Sequence, residues 1–555
     1  ELLAQPAQSG GLPPELARVL GDVSELRQAA RQLARFSLAK IDGVRNVVQM
    51  HRVVQAVTRD RLRREQPERA QRFRHAVHLL LAGSDPGGPG LDESDPLYER
   101  SRAHIVLSGA VESADAGVRN LIINQVGRLH RRGGSSESLS LGKDALEEWK
   151  SRFGENDRLT LALAIEVGKA TRLNGEWERA YQLNLDTLER LRAFGEDDQT
   201  YLACALSHGV DLGMLGRYRE ALDNDLELLP RCERVFRPEH EFTLRVRNNL
   251  AISLRCLGRF EEALEHDRVV LTMRENMFGP QEDPTLTSRF AVARDLRRMG
   301  RYEESLDIIR DVDQLLVRMD APWDALRVFT ALDLAIALRR VGYHQQAAAQ
   351  AEETLRTQTE SKGFEHRMTL LVATNVINDR RLIDDLAGAQ ALGEQTVAGW
   401  VKAVGEDHPN TLAARANLAV VMRMRSNPRG ARELNEQALA GFRGRFGDEH
   451  PSTLIVMHNL AGDLTGVGQV HQARELGEKA YEGHRRVRGE RHPCTLATGA
   501  NLSVDRLADG DQEGAAVLRE EILTAYAETL SNEHPEARLA AQQGRINLDV
   551  EPMMS

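Results

Sequence analysis

The pair His-Pro recurs at His408-Pro409, His450-Pro451, His492-Pro493 and His534-Pro535, each copy 42 residues after the last. Three residues before the His stands Gly405, Gly447 or Gly489, and in the fourth copy Ser531. A fixed period of this size signals stacked supersecondary units, each burying its apolar face only against its neighbours. It also loosens the usual link between length and domain count, so 555 residues can be largely one array.

The same ruler finds further columns. A small residue recurs at Ala221, Ala263, Ser305, Ala347, Ala389, Ala431, Ala473 and Ala515. Twelve residues before each stands Gly209, Ala251, Ala293, Ala335, Ile377, Ala419, Ala461 or Ser503. Small residues so placed let two helices cross closely. Between them lie Gly216, Gly258 and Gly300, followed two residues later by Tyr218, Phe260 and Tyr302. The Gly ends the first helix of a hairpin, and the ring fills the bend. Each His-Pro then opens the next first helix, with Pro in its first turn. A metal site is rejected for these His: ligands would have to converge within a few ångströms, whereas these sit on successive repeats.

These offsets resemble the tetratricopeptide repeat, lengthened from roughly 34 residues by about one turn on each helix. The long form is similar to the repeats of kinesin light chains and of bacterial ATPase-linked sensors. Armadillo and HEAT repeats have similar periods but lack this Gly–aromatic turn. The resemblance implies an all-α, right-handed superhelical solenoid of about ten helix hairpins. They begin near residues 113, 157, 198, 240, 282, 324, 366, 408, 450 and 492. We expect the array over 113–533, then a capping helix and tail over 534–555, with the helix from Pro535 to Leu548. Irregularities are expected at the Gly133-Gly134 turn, at Ala321-Pro322-Trp323, and where Pro428, Val470 and Gln512 replace the turn aromatic.

Before the array, Gly10 to Pro14 is a breaker cluster. Two short helices follow, then a hairpin turning at Asp42-Gly43 and a helix over His51–Glu65, the order of a winged helix. Residues 1–66 are assigned to this head, and 67–112 to a helical linker containing a Gly/Pro loop at 83–96. Met50-His51 resembles the end of the winged helix in NB-ARC modules of STAND-type ATPases, as found in actinobacterial repeat proteins. There the resemblance implies that His51 faces the diphosphate of ADP and holds an off state; the alternative is that His51 only caps its helix. No G-x-x-x-x-G-K-[ST] motif occurs, so no phosphate-cradling loop is expected in this chain and no enzyme activity is assigned to it. The first residue is not Met, and the expectation is a piece of a longer protein in which ADP or ATP binds an ATPase domain. The arginines from Arg59 to Arg74 are interrupted by Glu65 and Glu68, which favours a solvated or docking face over nucleic acid.

Four cysteines without C-x-x-C spacing point to free thiols in a reducing, cytoplasmic compartment, with no disulfide or zinc frame. No apolar run reaches the roughly 18 residues of a membrane span.

One column does not suit helix packing alone. Two residues before the first small position stand Asn124, Asn249, Asn375, Asn417, Asn459 and Asn501, with Glu166, Ser207, Ala291 and Asp333 in the other repeats. Asn costs roughly half a kcal/mol against Ala inside a helix. A carboxamide can donate to a backbone carbonyl and accept from a backbone N–H, so a row of them suits an extended peptide. The alternative is that they bridge neighbouring helices. Four residues on lie Asp211, Asp295, Asp379, Asp463 and Asp505, which together predict an acidic groove for a basic or neutral peptide. The candidate peptide-binding residues are therefore Asn249, Asn375, Asn417, Asn459, Asn501, Asp379, Asp463 and Asp505. The expected function is a protein- or peptide-binding sensor region of a STAND-type regulatory ATPase, its partner a peptide in the groove or the ATPase domain of the same chain. A stand-alone adaptor scaffold is the second reading, and a DNA-binding regulator the third.

Overall fold

The computed structural model describes residues 12–42, 47–85, 95–131, 134–319 and 325–553. Gly10 and Gly11, the Gly43 turn, most of the 83–96 loop, Gly133 and the Ala321-Pro322-Trp323 opening lie outside the described residues. The chain divides into two compact units, Glu1–Asp211 and Leu212–Ser555.

In the first unit, helices Pro14–Gly21 and Val23–Arg35 precede antiparallel strands Ala39–Asp42 and Val47–Met50, with Ala39 opposite Met50. Helix Arg52–Glu65 follows directly. Asp22 and His51 cap the second and third helices, accepting the N–H of Ser24 and Val53 respectively, as side chains with a free acceptor do at helix starts. Helices Pro67–Gly83 and Asp95–Ser108 lead to hairpins Ala116–Arg131/Ser135–Phe153 and Arg158–Leu173/Trp177–Leu191. Tyr98, Ile105, Leu121 and Trp149 form the buried centre of that core.

The second unit is built of the same kind of hairpin. First helices such as Pro409–Met424 and Pro451–Gly466 have 16 residues, and second helices such as Pro428–Phe446 and Val470–Arg488 have 19. This is a tetratricopeptide solenoid with both helices extended. Between them Gly216, Gly258, Gly300 and Gly342 take φ of 72°, 81°, 83° and 102°, the left-handed region where L side chains are strained. Tyr218, Phe260 and Tyr302 are buried in the bends. Where that ring is missing the hairpins persist: Asn427 and Asp511 cap their second helices by accepting the N–H of Gly430 and Gly514, while the helix from Val470 begins without a side-chain cap.

The end of the chain departs from expectation. The last helix spans Pro535–Ala541 rather than reaching Leu548. Gln543 adopts φ 56°, and the chain from Gly544 to Met553 is non-helical. From Arg545 to Glu551 polar and apolar side chains alternate, a period of two that favours extended chain over helix.

Candidate functional site: the groove and the carboxy-terminal segment

That extended segment lies along the first helices of the last three repeats, and the Asn column holds it. Asn501 donates to the carbonyl of Ile546 at 2.8 Å and accepts its N–H at 2.9 Å. Asn459 does the same for Leu548, at 2.8 and 3.3 Å. Asn417 pairs with Val550 at 3.0 and 2.9 Å. Asn410, about two helical turns earlier on the same helix as Asn417, pairs with Met553 at 3.2 and 2.8 Å. Each carboxamide thus takes both polar atoms of one residue, as a neighbouring β-strand would. The segment advances two residues per repeat and runs against the repeat order. Two residues of extended chain span about 6.6 Å, less than the 8–10 Å between packed helix axes, so the carboxamides converge from their helices. His458 adds a second donor to the Ile546 carbonyl at 2.9 Å. The apolar members Ile546, Leu548, Val550 and Met553 join the main core cluster of the unit.

The polar members of the segment meet arginines. Asp549 lies 3.0 Å from Arg339 and 2.7 Å from Arg381. Glu551 pairs with Arg297, Arg298 and Arg340. Asn547 accepts from Arg423 at 2.6 Å. Burial alone would raise both carboxyl pKa values. The surrounding guanidinium groups outweigh it, holding Asp549 below the usual carboxylate range and Glu551 well below it.

These arginines form a column that the sequence reading missed. Arg255, Arg297, Arg339, Arg381 and Arg423 stand 42 residues apart, six after the Asn position. The signal was present in the same register. Their first task is to neutralise the Asp row. Arg255 pairs with Asp295, Arg339 with Asp379 and Arg423 with Asp463, each reaching 40 residues along to the next repeat. In the first unit Arg172 likewise holds Asp211.

This corrects the expected acidic groove. Asp379 is tied to Arg339, and Asp463 to Arg423 and to Asn435 at 2.5 Å. Buried carboxylates need such partners, so their charge does not face a ligand. Asp505 does touch the segment, through the guanidinium of Arg545. Position 465, where the arginine column would continue, holds Thr465, which donates to Asp505 at 2.8 Å. Arg381 is the converse case. The Asp position in the next repeat is Val421, and Arg381 turns to Asp549.

The remaining candidates lie apart from the segment. Asn375 donates back to the Leu371 carbonyl at 3.2 Å and accepts from Arg339. Asn249 is half-buried and, among the described residues, makes no hydrogen bond to the segment. Asn124 of the first unit binds the Asp85 carboxylate at 2.8 Å. His51 is exposed, and its ring Nδ1 accepts the Val53 N–H at 3.3 Å.

The His-Pro ruler also has a tertiary role. In His408, His450, His492 and His534 the Nδ1 accepts the N–H two residues on, capping the helix. The proton therefore sits on Nε2, which donates to the carbonyl of Met214, Cys256, Arg298 or Arg340. Every one of these partners lies 194 residues earlier. Pro409, Pro451, Pro493 and Pro535 pack over Gly216, Gly258, Gly300 and Gly342. The second unit therefore curls until its later repeats rest on its earlier ones, and the groove lies inside that curl.

Comparison with protein-family profiles agrees with this repeat. Tetratricopeptide repeat profiles match residues 201–276, 368–444 and 452–528. Among solved structures, the nearly identical TPR-like repeats of a Podosopora anserina kinesin light chain share 28% identity, covering 37% of this chain and 96% of that one, with a TM-score of 0.30. A STAND protein with a tetratricopeptide repeat sensor from Pyrococcus horikoshii is 13% identical, over 80% of this chain and 62% of that one, with a TM-score of 0.49. A Rap protein complexed with competence and sporulation factor is 13% identical, over 65% and 99%, with a TM-score of 0.43. No curated protein is significantly similar in sequence. Among the described residues, no helix is long and apolar enough to cross a membrane.

Proposed function

We propose that this chain is the peptide- or protein-binding region of a STAND-type regulatory protein, and that its array grips an extended segment in the groove of the second unit. The observation that carries this reading is the four-fold pairing of Asn410, Asn417, Asn459 and Asn501 with both backbone atoms of one residue each. Such pairing recognises main chain and leaves sequence choice to the side chains between the clamps. The tetratricopeptide architecture suits protein binding in general, and its occurrence as a sensor in a STAND protein supports the regulatory setting. In that setting the head at residues 1–66 is the end of an NB-ARC module, and His51 serves ADP in a longer parent protein. The compartment is cytoplasmic, in keeping with four buried free cysteines.

The test is capture of displayed peptides by the intact chain, compared with the Asn417→Ala, Asn459→Ala variant. We expect the variant to lose capture while retaining its helical content. Equal capture by both proteins would exclude the groove as the binding surface. The regulatory part is tested separately in the longer parent, where His51→Ala should speed release of a fluorescent ADP analogue. A release rate unchanged by His51→Ala would leave His51 as a helix cap only, and a parent that takes up no ADP analogue would favour the stand-alone scaffold.

A further inference from the structure

Two features of the carboxy-terminal segment set it apart from an ordinary last element of a fold. Beyond the Gly544 N–H, which donates to the Leu539 carbonyl at 2.9 Å, the described residues make no backbone–backbone hydrogen bond. The main-chain contacts of the clamped residues are to side chains of the array: Asn501, His458, Asn459, Asn417 and Asn410. The segment is also joined to the last helix through a sharp turn, with Gln543 in a left-handed conformation and Gly544 packed on Leu539. It is held as a ligand is held, by side chains of the array.

The charges show what the site selects. Around Asp549 and Glu551 stand Arg297, Arg298, Arg339, Arg340 and Arg381. Among the described residues, the ion pairs these five cations make outside the segment are those of Arg297 with Asp333 and Arg339 with Asp379, and the Glu536 carboxyl also feels the charge of Arg340. The segment supplies two more carboxylates. Guanidinium groups buried without partners are costly, so an occupant lacking acids would leave the site worse matched than one carrying them. Carboxylates two residues apart fall on the same side of an extended chain, and the alternating Ile546, Leu548 and Val550 fall on the other, in the core.

Building on the groove function proposed above, we infer that residues 545–553 are an exchangeable internal occupant. They compete with a separate ligand, an extended peptide that carries two carboxylates at alternate positions between apolar side chains. In the resting chain the tail fills the groove at the high effective concentration that tethering confers. A ligand in trans displaces it by offering the same backbone pairing and the same two acids.

The experiment uses the full chain with a protease site placed between Gln542 and Gln543, and a fluorescent synthetic peptide of the sequence from Arg545 to Ser555. After cleavage the peptide should exchange into the groove and raise anisotropy, binding at least tenfold more tightly than to the uncut chain. The same peptide with Asp549→Asn and Glu551→Gln should bind at least tenfold more weakly. A cut tail that stays in place, with the array folded by circular dichroism and no uptake of labelled peptide, overturns the inference, as does unfolding of the array on cleavage. Equal binding of the neutral peptide overturns the ligand class. If uptake survives Asn417→Ala with Asn459→Ala, the groove reading itself fails, and that outcome is distinct from the others.

Discussion

A Cβ built on Gly258 would lie 2.5 Å from Cδ of Pro451, a residue 193 positions later in the chain. The Gly that ends one hairpin's first helix and the Pro that starts another's are thus a single contact between successive turns of the solenoid. Gly468 has nearly the same backbone conformation, φ 82° against 81°, but open space where its Cβ would stand. Gly468→Ala should cost only the left-handed strain, about 1–2 kcal/mol. Gly258→Ala should cost that and the clash, at least about 1–3 kcal/mol more by analogy with overpacked cores. Urea unfolding of the two variants measures the difference; equal losses would mean the turns do not bear on each other.

The inter-turn His408 and His450 should stay neutral well below neutral pH. Burial, opposed only in part by the carbonyl each donates to, pushes His408 and His450 down to about 4. Protonation would also turn the capping Nδ1 from acceptor to donor. Since the folded pKa lies below the unfolded value of about 6.5, the unfolded chain binds more protons between these pH values. Their contribution to stability is complete above about pH 6.5 and falls as the pH drops toward 4. Ring NMR signals that remain those of the neutral Nε2–H form at pH 5 would bear this out; titration near 6.5 would contradict it.

Removing a clamp should loosen the tail locally. Each Asn contributes two hydrogen bonds to the segment, at about 1 kcal/mol apiece. Asn459→Ala should therefore speed hydrogen exchange at Leu548 by roughly tenfold or more. Asn249→Ala, on the same column but away from the segment, should leave that exchange unchanged. A similar effect from both would mean that the column acts through general stability.

Arg381 and Asp549 should be energetically coupled. Breaking a buried pair from one side costs about 3–5 kcal/mol, because it strands a charge. Arg381→Met and Asp549→Asn should each raise cleavage of the tail by a nonspecific protease. The double variant should fall short of the sum by 0.5 kcal/mol or more, within the range for residues in contact. Strict additivity would show that Arg381 acts on the array and not on the tail.

Arg545 offers a further check on the groove. It fills the place that the arginine column leaves open at Thr465, pairing with Asp505. Thr465→Arg would supply that guanidinium from the array and make Arg545 redundant. Tail protection should then become insensitive to Arg545→Ala, whereas in the unmodified chain Arg545→Ala should reduce it severalfold.

The 42-residue register, the hairpins, the helix starts at His-Pro and the existence of the Asn column were all legible in the linear chain. Periodicity is a local property, and each repeat states it afresh. The arginine column shared that register, yet its meaning depends on reach. Arg339 meets Asp379 in the next repeat and Asp549 at the chain end, and only the curled array brings those two together. The polarity of the groove reversed for the same reason. The Asp row looked acidic as a list, but buried carboxylates are paired, and the charge left over is that of the arginines. The capping helix expected from Pro535 to Leu548 ends at Ala541. Its alternation of Ile546, Leu548 and Val550 with Asn547, Asp549 and Glu551 is the local sign of extended chain.

By itself the sequence determined the repeat, its length, and which side chains stand at equivalent places, because helix period, capping and turn chemistry act over a few residues. Tertiary structure alone decided that His450 reaches Cys256 and that Asn459 closes on Leu548. Contacts 194 and 89 residues apart depend on how far each repeat rotates against the next, a small angle set by packing and accumulated over the array.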